Sequence, residues 1–479
     1  MPSFLQHFPY SVVRDFQRET LELLESHWNH YDVFVVVAPT AYGKTAVSKA
    51  ILNTLYGASY IVPNNMLVSQ MTDTFNDTRT LHRMDSYRCD EWQRPCSATR
   101  ARLKSFCKGC QCSSDLATAK YRKGPGVYNY HTYLAHKLYR PALIVDEAHL
   151  LVPMLQQMGE VVLWQHDYKY PSSAYRPDQI LSWAEKLPPK KQKTVKVELL
   201  LEQLRSSFPS HSVTRGTREF NGKGTVRGQP EERDCIIVTP LSAKDKAGLM
   251  WPQREVSKII LLSATIGPKD VESLGLSERR VAYLHSPSPI GPERRPFHFL
   301  DTIAVNRASM NTALPKLAAE ILRLAERHAG ERGLIHATYQ LAEMLRPHLV
   351  GSRYLFHGKW NKKEQYEKYI KTPGSILVAC GLYEGINLPD DLGRWQVITK
   401  VPWPSLGDPA IKAMAERDEE WYMWQTAKTV IQAAGRICRH ENDYGITYCL
   451  DSTFLRLYDS GQHLLPQWFK DCLRDGDAP

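Results

Sequence analysis

No stretch of the 479 residues approaches the ~18 consecutive apolar residues that a membrane-spanning helix needs, so no helical span is expected. The first residues, MPSFLQHFPYSVVRDF, lack the basic and then apolar regions of a secretory leader, which predicts an intracellular protein that is not secreted. That compartment argues against a disulfide framework, even though the chain carries ten cysteines. Acidic residues are in deficit. Against 61 Lys and Arg stand 51 Asp and Glu, and the net charge of +10 favours an anionic partner. Hydrophobic content of 43% and charged content of 23% are those of a soluble globular protein, and the length predicts two to four domains.

The most informative stretch is Val33 to Thr45, VFVVVAPTAYGKT. Five apolar residues in a row read as a strand buried on both faces, as in a parallel sheet. The run breaks at Pro39 into a short loop that ends in Gly-Lys-Thr, and helical spacing resumes from Ala46 to Leu55. Strand, loop and helix in that order are the context of a phosphate-binding loop. Backbone N–H groups at the helix start would face phosphates, Lys44 would reach the β- and γ-oxygens, and the Thr45 hydroxyl would hold Mg²⁺. Ala38 stands where the loop pattern usually has its first Gly. Upstream, Tyr10, Arg14 and Gln17 lie where an adenine-reading element belongs, Gln17 offering an amide edge and Tyr10 a ring to stack.

A second apolar strand, Ala142 to Val145, ends in Asp146-Glu147-Ala148-His149, about a hundred residues after the GKT. Asp146 at the strand tip can order Mg²⁺ through water, and Glu147 can activate an attacking water. Between the two motifs lie Cys89, Cys96, Cys107, Cys110 and Cys112 among many Arg and Lys residues. Cys107-x-x-Cys110 is a chelate spacing, and the set holds enough thiolates for zinc or an iron–sulfur cluster, zinc being the commoner occupant of a four-Cys site. Residues 161–234 change character, with aromatics among prolines, a basic run and a Gly- and Arg-rich tract, and read as an inserted module. The core is expected to resume at Cys235–Pro240 and Lys258–Thr265. A proline-rich linker at 276–300 then precedes a second alternation of strands and helices.

Taken in order, these motifs resemble the XPD/DinG-like iron–sulfur DNA helicases of superfamily 2. Tyr10/Arg14/Gln17 stand as a Q-like motif, Ala38-Pro39-Thr40-Ala41-Tyr42-Gly43-Lys44-Thr45 as motif I, VDEAH as motif II and LSAT as motif III. LYEGINLP, containing Glu384 and Gly385, matches motif V, QAAGRICR matches motif VI, and KVPWPSLGDP resembles the family's C-terminal domain. Asn387 replaces the Asp usual in motif V.

The resemblance implies an α/β chain with two RecA-like P-loop domains in tandem, the first carrying an iron–sulfur insert and a short arch-like insert. Domain 1 would comprise 1–87, 121–160 and 235–275, with the cysteine-rich insert at 88–120 and the reduced arch at 161–234. After the linker, domain 2 would occupy 301–479. ATP and Mg²⁺ would sit between the domains, with Gln432, Arg436 and Arg439 reaching across; the spacing of three between the arginines predicts one helix face. The cluster would be [4Fe–4S], with Cys89, Cys107 and Cys110 as ligands and Cys96 or Cys112 as the fourth. Ser263 and Thr265 would couple hydrolysis to domain motion. The implied activity is ATP-driven 5′→3′ translocation on single-stranded DNA with unwinding of forked duplex, by a probable monomer with no membrane association. The rivals are a translocase or nucleoprotein remodeller that does not unwind, a nucleic-acid-binding protein with a decayed ATPase, and an RNA-directed enzyme.

Overall fold

The computed structural model describes residues 2–55, 57–75, 78–82, 86–89, 93, 95–97, 110–121, 124–168, 170, 177–207, 211–220, 231–300, 303–306, 308–358, 361–381 and 386–476. The first strand, β1 (Val33–Val37), is buried at every position. Its alternate side chains enter two separate cores, Val33, Val35 and Val37 on one face and Phe34 and Val36 on the other. A strand covered by helices on both faces needs that unbroken apolar run.

β2 (Ala58–Val62), β3 (Arg79–Thr80), β4 (Gly126–Asn129) and β5 (Ala142–Val145) follow. The chain then leaves the sheet for β6 (Val161–Trp164), β7 (His211–Phe220) and β8 (Glu231–Pro240), and returns as β9 (Lys258–Ser263) and β10 (Val281–His285). The first sheet has seven parallel strands in the order β10-β1-β9-β5-β2-β4-β3. Val37 at the end of β1 is level with Ser263 and His285, so the loops after β1 and β9 leave the same edge side by side.

The second sheet contains β11 (Phe297–Phe299), β12 (Gly333–Ala337), β13 (Tyr354–Phe356), β14 (Ile376–Cys380), β15 (Trp395–Ile398), β16 (Ile446–Cys449) and β17 (Leu473–Asp475). It too has seven parallel strands, ordered β13-β14-β12-β15-β16-β11-β17. Two parallel sheets in one chain are the tandem α/β architecture expected from the motifs.

Two expected boundaries shift. The stretch 276–300 is not a plain linker, because β10 pairs with β1 in the first sheet and β11 pairs with β16 and β17 in the second. Cys235–Pro240 does not rejoin the first sheet either. It is the second half of β8, which pairs antiparallel with β6 and β7. The inserted module therefore extends to Pro240. It has its own core, in which Leu163, Ile180, Val197, Leu200, Ile236 and Val238 are buried together. The outer strand β7 lies against helix Pro409–Arg417, so the module touches the second domain as well as the first.

Candidate active site

The loop after β1 is held from behind. Helix Asp15–His27 begins with a capping arrangement in which the Gln17 side-chain oxygen accepts the Arg14 N–H at 3.2 Å. The same amide donates to the Tyr42 carbonyl at 2.8 Å, and Arg14 donates to the Ala41 carbonyl at 3.0 Å. Tyr42 is fully buried, with its hydroxyl donating to Thr20 at 2.6 Å. Gly43 has φ of 84°, and a Cβ there would lie 2.5 Å from the Gln17 amide nitrogen, so no other residue fits that turn without displacing the brace.

One expectation changes as a result. Gln17 is buried and spent on the loop backbone, so its amide braces the phosphate loop instead of facing a base. Tyr42 can offer the cleft only its backbone. Ala38 carries no left-handed strain: its N–H continues the β9 pairing to the Ser263 carbonyl at 2.9 Å, and a methyl group is tolerated where the pattern has Gly. Tyr10 is 59% exposed and packs edge-on against Phe8. Pro39 and Thr40 follow β1, and Lys44 and Thr45 open helix Lys44–Thr54 with the Lys44 ammonium 3.3 Å from the Ala38 carbonyl.

Asp146 and Glu147 follow β5, which is separated from β1 by β9. Asp146 donates its backbone N–H to Ile61, and its side chain accepts from the Tyr60 hydroxyl at 2.6 Å. Burial, then the Glu147 charge, pushes the Asp146 carboxyl up to about 6, a direction that a divalent cation beside it would reverse. Burial acts the same way on Glu147, but Lys44, His149, Arg436 and Arg439 together outweigh it and hold that carboxyl below its ordinary value. His149, lowered to about 4 mainly by burial, stays neutral near pH 7 and meets the Ser263 hydroxyl at 2.8 Å.

The second domain closes the site. Helix Glu419–Ala434 ends at Gly435, whose Cα approaches so closely that a Cβ would sit 3.4 Å from the Thr40 hydroxyl. Arg436 and Arg439 therefore do not share a helix face, because the glycine ends the helix before either is reached. They sit in the turn and the extended stretch that follow, where Arg436 donates to the Gln432 side chain at 3.0 Å and to the Ile386 carbonyl at 3.1 Å. Arg439 donates to the Gly435 carbonyl at 2.7 Å, and Asp443 accepts the Arg439 N–H at 2.7 Å. Gln432 reaches back into the first domain, donating to Thr265 and lying 3.3 Å from His149. Arg14 and Glu441 bridge the domains again at 3.3 Å. The cleft thus combines an ammonium, two carboxylates and two guanidinium groups at the start of helix Lys44–Thr54. Such a set can bind a nucleoside triphosphate and stabilise a phosphoryl transition state. Glu384 and Gly385 lie outside the described residues.

Comparison with known proteins agrees with this geometry. Residues 335–472 match the family model described as helicase C-terminal domain, and residues 11–167 match that of the type III restriction enzyme res subunit. Regulator of telomere elongation helicase 1 from Rattus norvegicus is 31% identical over 133 residues, 23% of this chain and 10% of that protein. Its homolog from Drosophila sechellia is 32% identical over 134 residues, 24% of this chain and 13% of that protein. The matched stretch is therefore a small fraction of those relatives' own length. A solved XPD helicase superposes with a TM-score of 0.65 at 16% identity, covering 98% of this chain and 100% of that one. Xpd4 of S. tokodaii gives 0.59 at 15%, covering 97% and 100%. The chain is thus similar to helicases in its C-terminal part and has the fold of the XPD structures.

The cysteine segment has a definite geometry. Cys89, Cys96, Cys110 and Cys112 are buried together in one core, next to Leu81, Tyr87 and Leu116. Burial, then Cys112, Cys110 and Cys89, pushes the Cys96 thiol up to about 11. Four sulfurs gathered in one apolar core are the soft donor set that a thiolate-bound metal takes, so they fit a metal centre. Cys107 lies outside the described residues, and the four that gather include both Cys96 and Cys112, which were expected as alternatives.

Sequence reasoning missed several members of the site. Tyr60 and Tyr130 hold Asp146 and Glu147 from below, Tyr130 through the two backbone carbonyls. Both are buried, and the only trace in the sequence is a polar-tipped aromatic at the end of an apolar strand. Asp390, His440 and Asp443 also come within 4.8 Å of one another. Asp443 is already committed to Arg394 at 2.9 Å and to the N–H groups of Asp390, Arg439 and Tyr444, so this trio anchors the segment carrying Arg439.

Proposed function

We propose that the protein is an ATP-dependent DNA helicase that translocates on single-stranded DNA, 5′→3′, inside the cell. The observation that carries this reading is the approach of Gly435 to Thr40, which brings Arg436 and Arg439 over the same cleft as Lys44, Asp146 and Glu147. An ATPase of one domain would need only the first three. Placing the guanidinium groups on the other domain makes hydrolysis depend on closure, which is what coupling to movement along a strand requires.

In this mechanism the loop backbone and Lys44 would bind the triphosphate, and Thr45 and Asp146 would hold Mg²⁺. Glu147, kept ionised by four neighbouring positive or polarised groups, orients the attacking water and accepts its proton. Arg436 and Arg439 offset the charge spread over the γ-phosphoryl oxygens. Neutral His149, between Ser263 and Gln432, links the carboxylates to the arginine-bearing segment. The strand would be held chiefly through its phosphates, so affinity should fall with rising salt.

Strand displacement on forked duplexes with either a 5′ or a 3′ tail tests the reading. Unwinding of the 5′-tailed substrate alone, with ATPase stimulated by single-stranded DNA more than by RNA, is the expected result. Movement that displaces a bound protein without separating the duplex would instead assign a translocase.

The cysteine pocket is proposed to hold a [4Fe–4S] cluster. The resemblance to the iron–sulfur helicases supports this choice over zinc. Protein purified without oxygen is expected to be brown, with about four irons per chain. Colourless protein with one zinc per chain would replace the cluster with a structural zinc site.

A further inference from the structure

Helix Glu419–Ala434 of the second domain is fastened to the first along one stripe. Glu420, Trp424, Lys428 and Gln432 recur every four residues and so line one side of the helix. Each meets the short segment that follows the SAT motif. Glu420 lies 3.3 Å from the Lys269 ammonium, Trp424 donates its ring N–H to Asp270 at 2.8 Å, Lys428 donates to Asp270 at 2.7 Å, and Gln432 donates to Thr265.

Asp270 is the centre of this contact. Its side chain is 1% exposed and that of Lys428 is 11% exposed, so the ion pair is buried between the two domains. The second carboxylate oxygen also accepts the Gly267 N–H at 3.1 Å, which caps helix Pro268–Ser273. Gly267 is needed here for a different reason from Gly43. A Cβ would come within 2.9 Å of the Trp424 ring, so the indole can lie against the first domain only over a bare backbone. The Lys428 ammonium is also 5.8 Å from the centre of that ring. A buried charge pair that spans a domain boundary must be broken or resolvated when the domains part.

We infer that the Asp270–Lys428–Trp424 joint is the fulcrum that sets the position of Arg436, so that Asp270 is a positioning residue for phosphoryl transfer although it touches no nucleotide. The inference rests on the ATPase reading above and deepens it. Lys428 lies six residues before the end of the helix at Ala434, about 9 Å, so a ~10° tilt at the joint moves the start of the arginine-bearing segment by ~1.5 Å. Errors of that size in a transition-state contact lower turnover without changing ground-state binding to the opposite domain. The joint also lies directly between Thr265 and the far end of the helix. There Lys244, Lys269, Arg417 and Trp421 line a pocket of about 320 Å³ beside the inserted module. Any strand that moves those side chains acts on Arg436 through the same lever.

The test is a double-mutant cycle on the full chain with its metal centre intact. Asp270→Asn keeps an acceptor for Gly267 and Trp424 but removes the charge, and Lys428→Met keeps the length of the stem. Each single substitution is expected to lower DNA-stimulated kcat roughly tenfold, within the range of interdomain coupling, with KM for ATP changed by no more than about twofold. The double variant should be no slower than either single one. Effects that multiply, an unchanged kcat, or a loss expressed in KM would overturn the inference. Hydrogen exchange separates this failure from failure of the ATPase reading. If the wild-type chain hydrolyses no ATP, equal deprotection of 264–274 and 419–434 in both single variants, and no more in the double, still supports the joint. Unaltered exchange refutes it.

Discussion

Replacement of Arg436 by alanine is expected to lower DNA-stimulated kcat by about 10³-fold, the lower end of what an arginine supplied in trans to a phosphoryl transition state contributes. ATP affinity should change little, because the phosphate loop and Lys44 belong to the other domain and remain in place. Arg436→Lys should recover only a small part of the loss. A guanidinium can keep its bond to the Gln432 oxygen and still present a second N–H edge to a phosphoryl oxygen, whereas an ammonium is a single point with no such fork. Arg439→Ala should differ in kind. Burial lowers the Arg439 pKa, and its guanidinium donates to the Gly435 carbonyl at the end of the helix, so its loss should reduce thermal stability as well as turnover. Single-turnover hydrolysis and thermal unfolding, measured on the two alanine variants side by side, check this. Equal kcat for Arg436→Ala and the wild type would remove Arg436 from the site.

Replacement of Lys44 by alanine should lower kcat by about 10²–10³-fold, as the loss of one preorganised donor to a developing charge does, and should also weaken nucleotide binding. The two consequences have one cause, since Lys44 would contact the phosphates in the ground state and the transition state alike. The fold should hardly notice. Lys44 is only partly buried, and its one hydrogen bond, to the Ala38 carbonyl, is long at 3.3 Å. Its absence should also raise the Glu147 pKa, because Lys44 is the strongest of the charges that hold that carboxyl down. The acid limb of any remaining activity should therefore move to higher pH. Phosphate release together with equilibrium binding of a non-hydrolysable nucleotide would measure both parts. Undiminished DNA-stimulated hydrolysis would mean that the catalytic site lies elsewhere.

Legibility varied with how local the governing interaction was. VFVVV and ALIV were readable as buried parallel strands because consecutive apolar residues leave few alternatives. CIIV looked the same and proved to be an antiparallel strand of the inserted module, since an apolar run records burial but not the partner strand. VAYLH and FHF were hidden in a proline-rich stretch, where three to five residues are too few to establish a period. The misplacement of Gln17 has a similar origin. A buried amide can cap a helix, brace a loop or read a base, and only the position of Tyr42 decides among them. For Arg436 and Arg439 the spacing of three suggested a helix, but Gly435 between Ala434 and Arg436 ends it.

The sequence by itself determined the class of the chemistry. The GKT loop, the Asp-Glu strand end, the serine and threonine of the SAT motif and the two late arginines are short-range patterns, in which backbone geometry and side-chain type suffice to state a function. The cysteine group was also visible, as a density of thiols. Only the tertiary structure decided how those parts are held relative to one another. It placed Gly435 against Thr40, turned Gln17 into a brace, gathered Cys89, Cys96, Cys110 and Cys112, and joined Asp270 to Lys428 across 158 residues of chain. Such pairings depend on desolvation and packing between distant segments, which leave no periodic mark in either segment alone.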